Sequence, residues 1–150
     1  MKRLKSLCVA AVVLSMASLC AARDLAVVTD KGNITSAVSS NDLLKLLKND
    51  MQKWPDGRKV TIFLSNPSSS DAWLLFQKIY NMSVEEARKF ADAHKDSIVL
   101  MGADDLVLKA VAQQPGSIGV VNVYSLNSSV KVIKVDGKLP FEQGYLLHGN

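Results

Sequence analysis

The sequence contains very little cysteine, and what it has lies at the start of the chain. Cys8 and Cys20 are the two cysteines among 150 residues, and none follows residue 20. The rest of the chain therefore has no disulfide, no thiol nucleophile and no thiolate ligand for a metal. A domain built from residues 23–150 must be held together by its hydrophobic core, and a chain of that length supports one such core.

The excess of positive charge is also confined to the first residues. The whole chain has 18 Lys and Arg against 14 Asp and Glu, a net charge of +4. Lys2, Arg3 and Lys5 precede residue 22, whereas no acidic residue does, so residues 23–150 have 15 basic and 14 acidic residues and a net charge of +1. This balance predicts neither a nucleic-acid partner nor binding to an anionic membrane.

The first 22 residues have the three parts of a secretory signal peptide. The basic start is followed by an apolar run over Leu7–Leu19 and by the small residues 20–22 before Arg23. The apolar run is shorter than the ~20 residues that a membrane span needs, so no membrane span is predicted. Cleavage after Ala22 would release the protein into the periplasm or the medium. An alternative, lipid attachment at Cys20, stays open.

Beyond this leader, buried strands alternate with amphipathic helices. The pattern predicts strands at 25–28, 59–65, 98–101, 117–123 and 130–135, and helices after the cap at 40–42, around 73–80, from 83 to about 94, and after 102. Pro and Gly mark turns between them. This alternation predicts an α/β fold, a three-layer-like sheet with flanking helices, in a single domain over residues 23–150.

The sequence has none of the common catalytic motifs. It lacks a nucleophile elbow, a phosphate-binding Gly-rich loop, a zinc-binding His pair and a dinucleotide fingerprint. His94 and His148 have neither metal-ligand spacing nor a catalytic partner in sequence. We expect His94 to interact with a helix C-terminus and His148 to lie in a frayed tail. The sequence therefore predicts a protein that is not an enzyme, with no cofactor and no metal.

A Ser-rich segment is the best candidate for a ligand site. Asn66, Ser68, Ser69 and Ser70 precede a predicted helix, whose first N–H groups are unpaired and carry partial positive charge. Together with the serine hydroxyls, these groups could hold a small oxyanion. Asp71 argues against this, because its carboxylate would occupy the same donors and repel an anion. The alternative is that a serine here only caps the helix.

Local structure explains the other conspicuous residues. Trp54 and Trp73 stand among apolar neighbours, which favours packing over ligand stacking. The Asp-Gly pair at 56–57 is typical of a turn. Asp104 and Asp105 fall in the first turn of a predicted helix, where they complement the helix dipole without any metal.

Several motifs occur in an order found in one known family. They are the Ser-Asn-Asp-Leu-Leu-Lys-Leu-Leu run at 40–47, Trp-Pro-Asp-Gly at 54–57, the Ser-rich segment at 68–70 and Pro-Gly-Ser-Ile-Gly at 115–119. The sequence resembles the phosphate-binding proteins of bacterial phosphate ABC transporters, and more closely their short, single-lobe secreted relatives. The resemblance covers nearly all of residues 23–150 and implies the fold of one lobe of a type II periplasmic binding protein.

The resemblance also implies a function. It suggests a secreted, non-enzymatic solute-binding-like module for a small oxyanion such as phosphate, with Ser68–Ser70 in the position of the family's anion-binding loop. Two-lobed members hold the anion between their lobes, so a protein partner in the cell envelope or a second copy would complete the site here. The family often has an arginine near this loop, whereas this sequence has Asp71. The alternative is a degenerate lobe that acts as an interaction or scaffold module in the envelope.

Overall fold

The computed structural model describes residues 24–65 and 75–149. The predicted signal peptide, Met1–Ala22, and the predicted ligand segment, 66–70, lie outside the described residues. The strands are β1 (Leu25–Asp30), β2 (Ala37–Val38), β3 (Ile62–Ser65), β4 (Ile98–Met101), β5 (Ile118–Asn122), β6 (Val130–Val132) and β7 (Lys134–Val135). The helices are α1 (Ser40–Leu47), α2 (Val84–Ala93) and α3 (Asp104–Gln113), with a π-helical turn at Phe76–Tyr80 and a 3₁₀ turn at Val123–Ser125.

Five of the strands form one mixed sheet in the order β4-β3-β5-β1-β6. β3 is parallel to both of its neighbours, β4 and β5, whereas β1 is antiparallel to β5 and to β6. β2 and β7 form a separate, parallel two-stranded sheet. β3 and β5 consist almost wholly of buried residues, as expected for strands covered on both faces. In β4, which lies at the edge of the sheet, Ile98 is buried and the other three residues are half-buried.

Helices cover the two faces of this sheet and give it three layers. Along β1, Leu25 and Val27 belong to the apolar cluster that includes α1 and α2, whereas Ala26 and Val28 belong to the cluster that includes α3. This alternation follows from the twofold period of a strand. The α/β fold with a central sheet and flanking helices, predicted from the sequence, is confirmed.

Serine hydroxyls cap two of the helices. The cap predicted at 40–42 was placed one residue too late, because Ser39 is the N-cap of α1 and residues 40–42 form its first turn. The hydroxyl of Ser39 accepts a hydrogen bond of 3.0 Å from the backbone N–H of Asp42. Ser83 and Glu86 form a reciprocal capping box at the start of α2. These caps satisfy N–H groups that the first turn of a helix leaves unpaired.

A glycine allows α3 to approach the sheet closely. A Cβ atom on Gly119 of β5 would lie 2.8 Å from a methyl group of Val107 and of Val111 in α3, and 3.1 Å from one of Val28. Only a residue without a side chain leaves room for α3 at this distance.

Three strand predictions were too long. The strand predicted over 117–123 exceeds β5 by one residue at each end. The strand predicted from residue 59 begins at Ile62, because the backbone N–H of Val60 donates instead to Gln52. The run predicted over 130–135 is divided between β6 and β7 at the fully buried Ile133. The predicted turn after it is confirmed, since Asp136 and Gly137 both have positive φ, 52° and 75°. In the described part of the chain, no helix is both long enough and apolar enough to cross a membrane.

Candidate functional site

The carboxyl ends of β3 and β5 form the position in this sheet where a ligand site is expected. The chain leaves β3 for β4 on one side, and then crosses to β5 on the other side of β3. The connection that follows β3 thus leads to one side of β3, and the connection that follows β4 leads to its other side. In open α/β sheets, ligands bind outside the carboxyl ends of the strands at such a reversal. Ser65 ends β3 and Asn122 ends β5, so these two residues mark the place.

The carboxylate of Asp104 lies at this place. One of its oxygens accepts hydrogen bonds from the backbone N–H of Asn122 at 3.0 Å and from the hydroxyl of Ser125 at 2.8 Å. The other oxygen accepts from the hydroxyl of Ser65, which is buried. One backbone N–H and two hydroxyls therefore hold a carboxylate at the switch point of the sheet. They are the kinds of donor that hold a bound oxyanion in a protein.

Asp104 has a wider role than its position in the helix suggests. The sequence places it in the first turn of a helix, and the structure confirms that location for Asp104 and Asp105. Ala103, not an aspartate, is the N-cap of α3, and no side chain caps this helix. Asp104 instead connects the start of α3 with the ends of β3, β5 and the 3₁₀ turn, while Asp105 is exposed. Sequence reasoning missed Ser65, Asn122 and Ser125, because their proximity to Asp104 depends on strand order.

The predicted ligand residues cannot be placed against this geometry. Asn66, Ser68, Ser69 and Ser70 lie outside the described residues, as does Asp71. The structure gives the position of Ser65, the last residue of β3, which directly precedes residue 66 in the chain. The arrangement of their donors remains a prediction.

The two tryptophans were interpreted as packing residues, and Trp54 fulfils this role. Its side chain is buried, with 3% of its surface exposed, and its indole N–H donates to the carbonyl of Gly116 at 2.7 Å. Trp73 lies outside the described residues. The turn predicted at 56–57 is present, with Gly57 at a φ of 89°.

His94 lies at the C-cap of α2, close to where the sequence places it. Its Nδ1 is 2.8 Å from the carbonyl oxygen of Phe90, and the ring centroids of His94 and Phe90 are 4.4 Å apart. These contacts are structural, and they agree with the predicted location at a helix C-terminus.

The expectation of a frayed tail at His148 was wrong. The imidazole of His148 contacts the buried carboxylate of Asp24, and the backbone N–H of Gly149 donates to the same carboxylate oxygen at 3.2 Å. Leu147 is fully buried and its carbonyl accepts from Leu25 N–H, so the tail is fixed to the start of β1. The apolar residues at 145–147 were the signal for this packing. Within 24–65 and 75–149, no group of three or more His, Cys, Asp or Glu is arranged to hold a metal ion.

The sequence matches no protein family model and no curated protein. Solved structures, in contrast, share its fold. An ABC-type phosphate transport receptor from Vibrio cholerae aligns with a TM-score of 0.72 and 14% identity over 85% of this chain. PstS from Borrelia burgdorferi aligns with a TM-score of 0.70 and 17% identity over 86% of this chain. A third structure, from Clostridium perfringens, aligns with a TM-score of 0.63 and 13% identity over 77% of this chain. It is described as a putative phosphate ABC transporter substrate-binding protein with bound phosphate.

The chain is only a partial counterpart of these proteins. The alignments cover 54%, 55% and 46% of the three proteins, so the chain spans about half of their length. The predicted likeness to a single lobe of a periplasmic binding protein is thereby confirmed. At these identities, the likeness is one of fold.

Proposed function

We propose that this chain is an exported, non-enzymatic solute-binding module that binds a small oxyanion, such as phosphate, beside the carboxyl end of β3. In this proposal Asn66, Ser68, Ser69 and Ser70 supply the donors. The observation that carries it is the position of Ser65: the segment leaves the sheet at the reversal of strand order, where ligands of open α/β sheets bind. The phosphate-binding proteins that share the fold support the choice of ligand.

The contacts of Asp104 support an oxyanion at this edge and also limit its affinity. Donors at the switch point already hold one carboxylate, so the local surroundings suit an oxygen anion. The same carboxylate would repel a second anion placed nearby. A single lobe also encloses little of a ligand, whereas tight sites bury most of the ligand surface. We therefore expect binding in the millimolar range unless an envelope partner or a second copy covers the site.

Calorimetric titration of the purified protein with phosphate and with sulfate tests the proposal. Asp104→Asn keeps an oxygen acceptor but removes the negative charge, so this variant should bind phosphate more tightly than the wild type. Asp105→Asn removes the same charge from the neighbouring exposed residue and should bind as the wild type does. Absence of heat for both anions at millimolar concentration, in the wild type and in Asp104→Asn, would contradict the proposal.

Export is part of the same proposal. The basic and apolar sequence of residues 1–22 supports a cleavable signal peptide, and the fold shared with a phosphate transport receptor agrees with a location outside the cytoplasm. Mass spectrometry of the protein recovered from the cell envelope should give an N-terminus at Arg23. A lipid-modified N-terminus at Cys20 would instead support the lipoprotein alternative, and an intact Met1 would contradict export.

The contacts of Asp104 also favour a second candidate function, an interaction module. Because the carboxylate already satisfies Asn122, Ser125 and Ser65, the edge does not require a ligand. Beside Ser125, Tyr124 exposes 70% of its surface and packs edge-on against Phe141, which is 64% exposed, with ring centroids 6.3 Å apart. Recovery of a specific envelope protein that is lost in Tyr124→Ala but kept in a Ser69→Ala, Ser70→Ala variant would favour this function.

A further inference from the structure

A groove of about 1060 Å³ lies beside the two-stranded sheet. Residues 34–39 form one wall, and Met51, Trp54 and Pro55 contribute apolar surface from the loop after α1. Among the described residues that line it, none hydrogen-bonds to Asp104. Ile34 lines the groove with 80% of its surface exposed, so it offers an apolar side chain to any segment bound there.

One wall of the groove is the free edge of a strand. β7 pairs with β2 through hydrogen bonds from Lys134 N–H to the carbonyl of Ser36, at 3.0 Å, and from Asp136 N–H to the carbonyl of Val38, at 2.9 Å. Residues 36 and 38 thus direct these carbonyl groups towards β7. Alternation along a strand turns the N–H and C=O of Ala37, between them, to the opposite side. Ala37 lines the groove, and β2 has no second neighbour among the described strands.

The charged side chains among the described residues that line the groove are the carboxylates of Asp42, Asp56 and Asp136. Two cations lie just outside this lining. Arg58 contacts Asp56 at 2.8 Å and Lys45 lies 4.0 Å from Asp42, but these are surface pairs, which contribute little. Asp136 accepts from the backbone N–H of Ser40, which holds the pKa of Asp136 below its usual value. Asp136 has no ion pair within the described part of the chain.

We propose that this groove binds an extended segment of a partner protein, in which apolar residues alternate with Lys or Arg, as an added strand on β2. The backbone N–H and C=O of Ala37 form hydrogen bonds with the segment. Its apolar side chains contact Ile34 and the apolar surface of the loop after α1, and its cations interact with the three carboxylates. Such strand addition combines main-chain hydrogen bonds for affinity with side-chain contacts for specificity. The proposal is independent of anion binding at residues 66–70.

The test uses an end-blocked octapeptide of alternating valine and lysine, titrated into the isotope-labelled protein and followed by NMR. We expect it to shift the amide signals of residues 35–38. A peptide with glutamate in place of lysine should bind the wild type at least about tenfold more weakly. The lysine peptide should lose affinity by the same factor when the protein carries the triple change Asp42→Asn, Asp56→Asn, Asp136→Asn. A triple Asp50→Asn, Asp92→Asn, Asp105→Asn variant removes the same charge elsewhere and should bind like the wild type.

Two further peptides test strand addition itself. In one peptide the backbone nitrogens of the valines are methylated, and in the other the backbone nitrogens of the lysines. Each peptide therefore lacks the N–H donors along one edge of the bound strand. Loss of binding by at least one of them supports backbone pairing with β2. Equal binding of both methylated peptides and the parent, equal binding of the lysine and glutamate peptides, or no shift at 35–38 at millimolar peptide would each overturn the proposal. Ile34→Ser, an exposed change that leaves the fold intact, should also weaken the lysine peptide.

Discussion

The indole N–H of Trp54 donates a hydrogen bond of 2.7 Å to the carbonyl of Gly116, which lies 62 positions further along the chain. Trp54 opens the Trp-Pro-Asp-Gly motif, and Gly116 belongs to the Pro-Gly-Ser-Ile-Gly motif. The N–H of Gly116 in turn donates to the buried carboxylate of Asp30, at 2.8 Å. The two motifs that carry most of the family resemblance therefore meet in space, and together they fix the turn that leads into β5.

Trp54→Phe should reduce stability through this hydrogen bond. Phenylalanine would keep most of the apolar contacts but leave the buried carbonyl of Gly116 without its donor, at a cost of about 1–3 kcal/mol in the free energy of unfolding. Urea denaturation followed by circular dichroism measures the change. Tyr124→Phe, at an exposed position, is the matched control and should change stability by less than about 0.5 kcal/mol. Equal stability of the two variants would show that the hydrogen bond has no net effect.

Gly119→Ala should be costly, because α3 packs directly on this glycine. The new methyl group would lie 2.8 Å from methyl groups of Val107 and Val111, so helix or strand must shift, at about 1–3 kcal/mol. Gly102→Ala is the control, since its nearest neighbour would be an ordinary 3.8 Å away. A second change, Val107→Ala, should lessen the effect of Gly119→Ala in a double-mutant cycle. Additive effects in that cycle would contradict the steric explanation.

Alkaline pH should destabilise the protein through Tyr80. Burial raises the pKa of the Tyr80 hydroxyl above its ordinary value of 10.0. The folded form therefore keeps its proton when the unfolded form loses it, so the contribution of Tyr80 to stability is constant below about pH 10 and is lost as the pH rises further. Unfolding free energies at about pH 9 and about pH 11 should differ less in Tyr80→Phe than in the wild type. The same pH dependence in both proteins would contradict this assignment.

His148→Ala should loosen the end of the chain. Among the described residues, the buried carboxylate of Asp24 would keep only Gly149 N–H as a donor, and its other oxygen already has no partner. We expect a loss of about 1–3 kcal/mol, together with faster amide hydrogen exchange at residues 145–149. His94→Ala, at the end of α2, should leave exchange at 145–149 unchanged. Protection of these amides that survives in His148→Ala would mean that the apolar contacts of Leu147 alone hold the tail.

Local patterns in the sequence predicted most of the fold. The capping box at Ser83, the turn at 136–137 and the start of α3 all depend on neighbours within four residues, and all are confirmed. The division of the run at 130–135 was missed, because Ile133 bonds to Val27 rather than continuing either strand. That choice depends on a partner more than a hundred residues away.

The candidate site was harder to predict for the same reason. Asp104 follows β4 in sequence, yet its hydrogen-bond donors come from the ends of β3 and β5 and from Ser125. Nothing in the local sequence indicates that the chain crosses over β3 between β4 and β5. The groove beside β2 was missed because its walls come from short segments far apart in sequence, and it forms only when residues 36–38 pair with β7.

Site-resolved NMR titration with inorganic phosphate tests the central claim most directly. Oxyanion binding at the carboxyl edge of β3 predicts saturable shifts in the amide signals of residues 66–70, accompanied by smaller shifts at Ser65 and Asn122 and none at 34–39. The shifts should be lost in a Ser69→Ala, Ser70→Ala variant and should saturate at lower phosphate in Asp104→Asn. Unchanged signals at 66–70 up to high millimolar phosphate, or shifts that persist in the double alanine variant, would contradict the account.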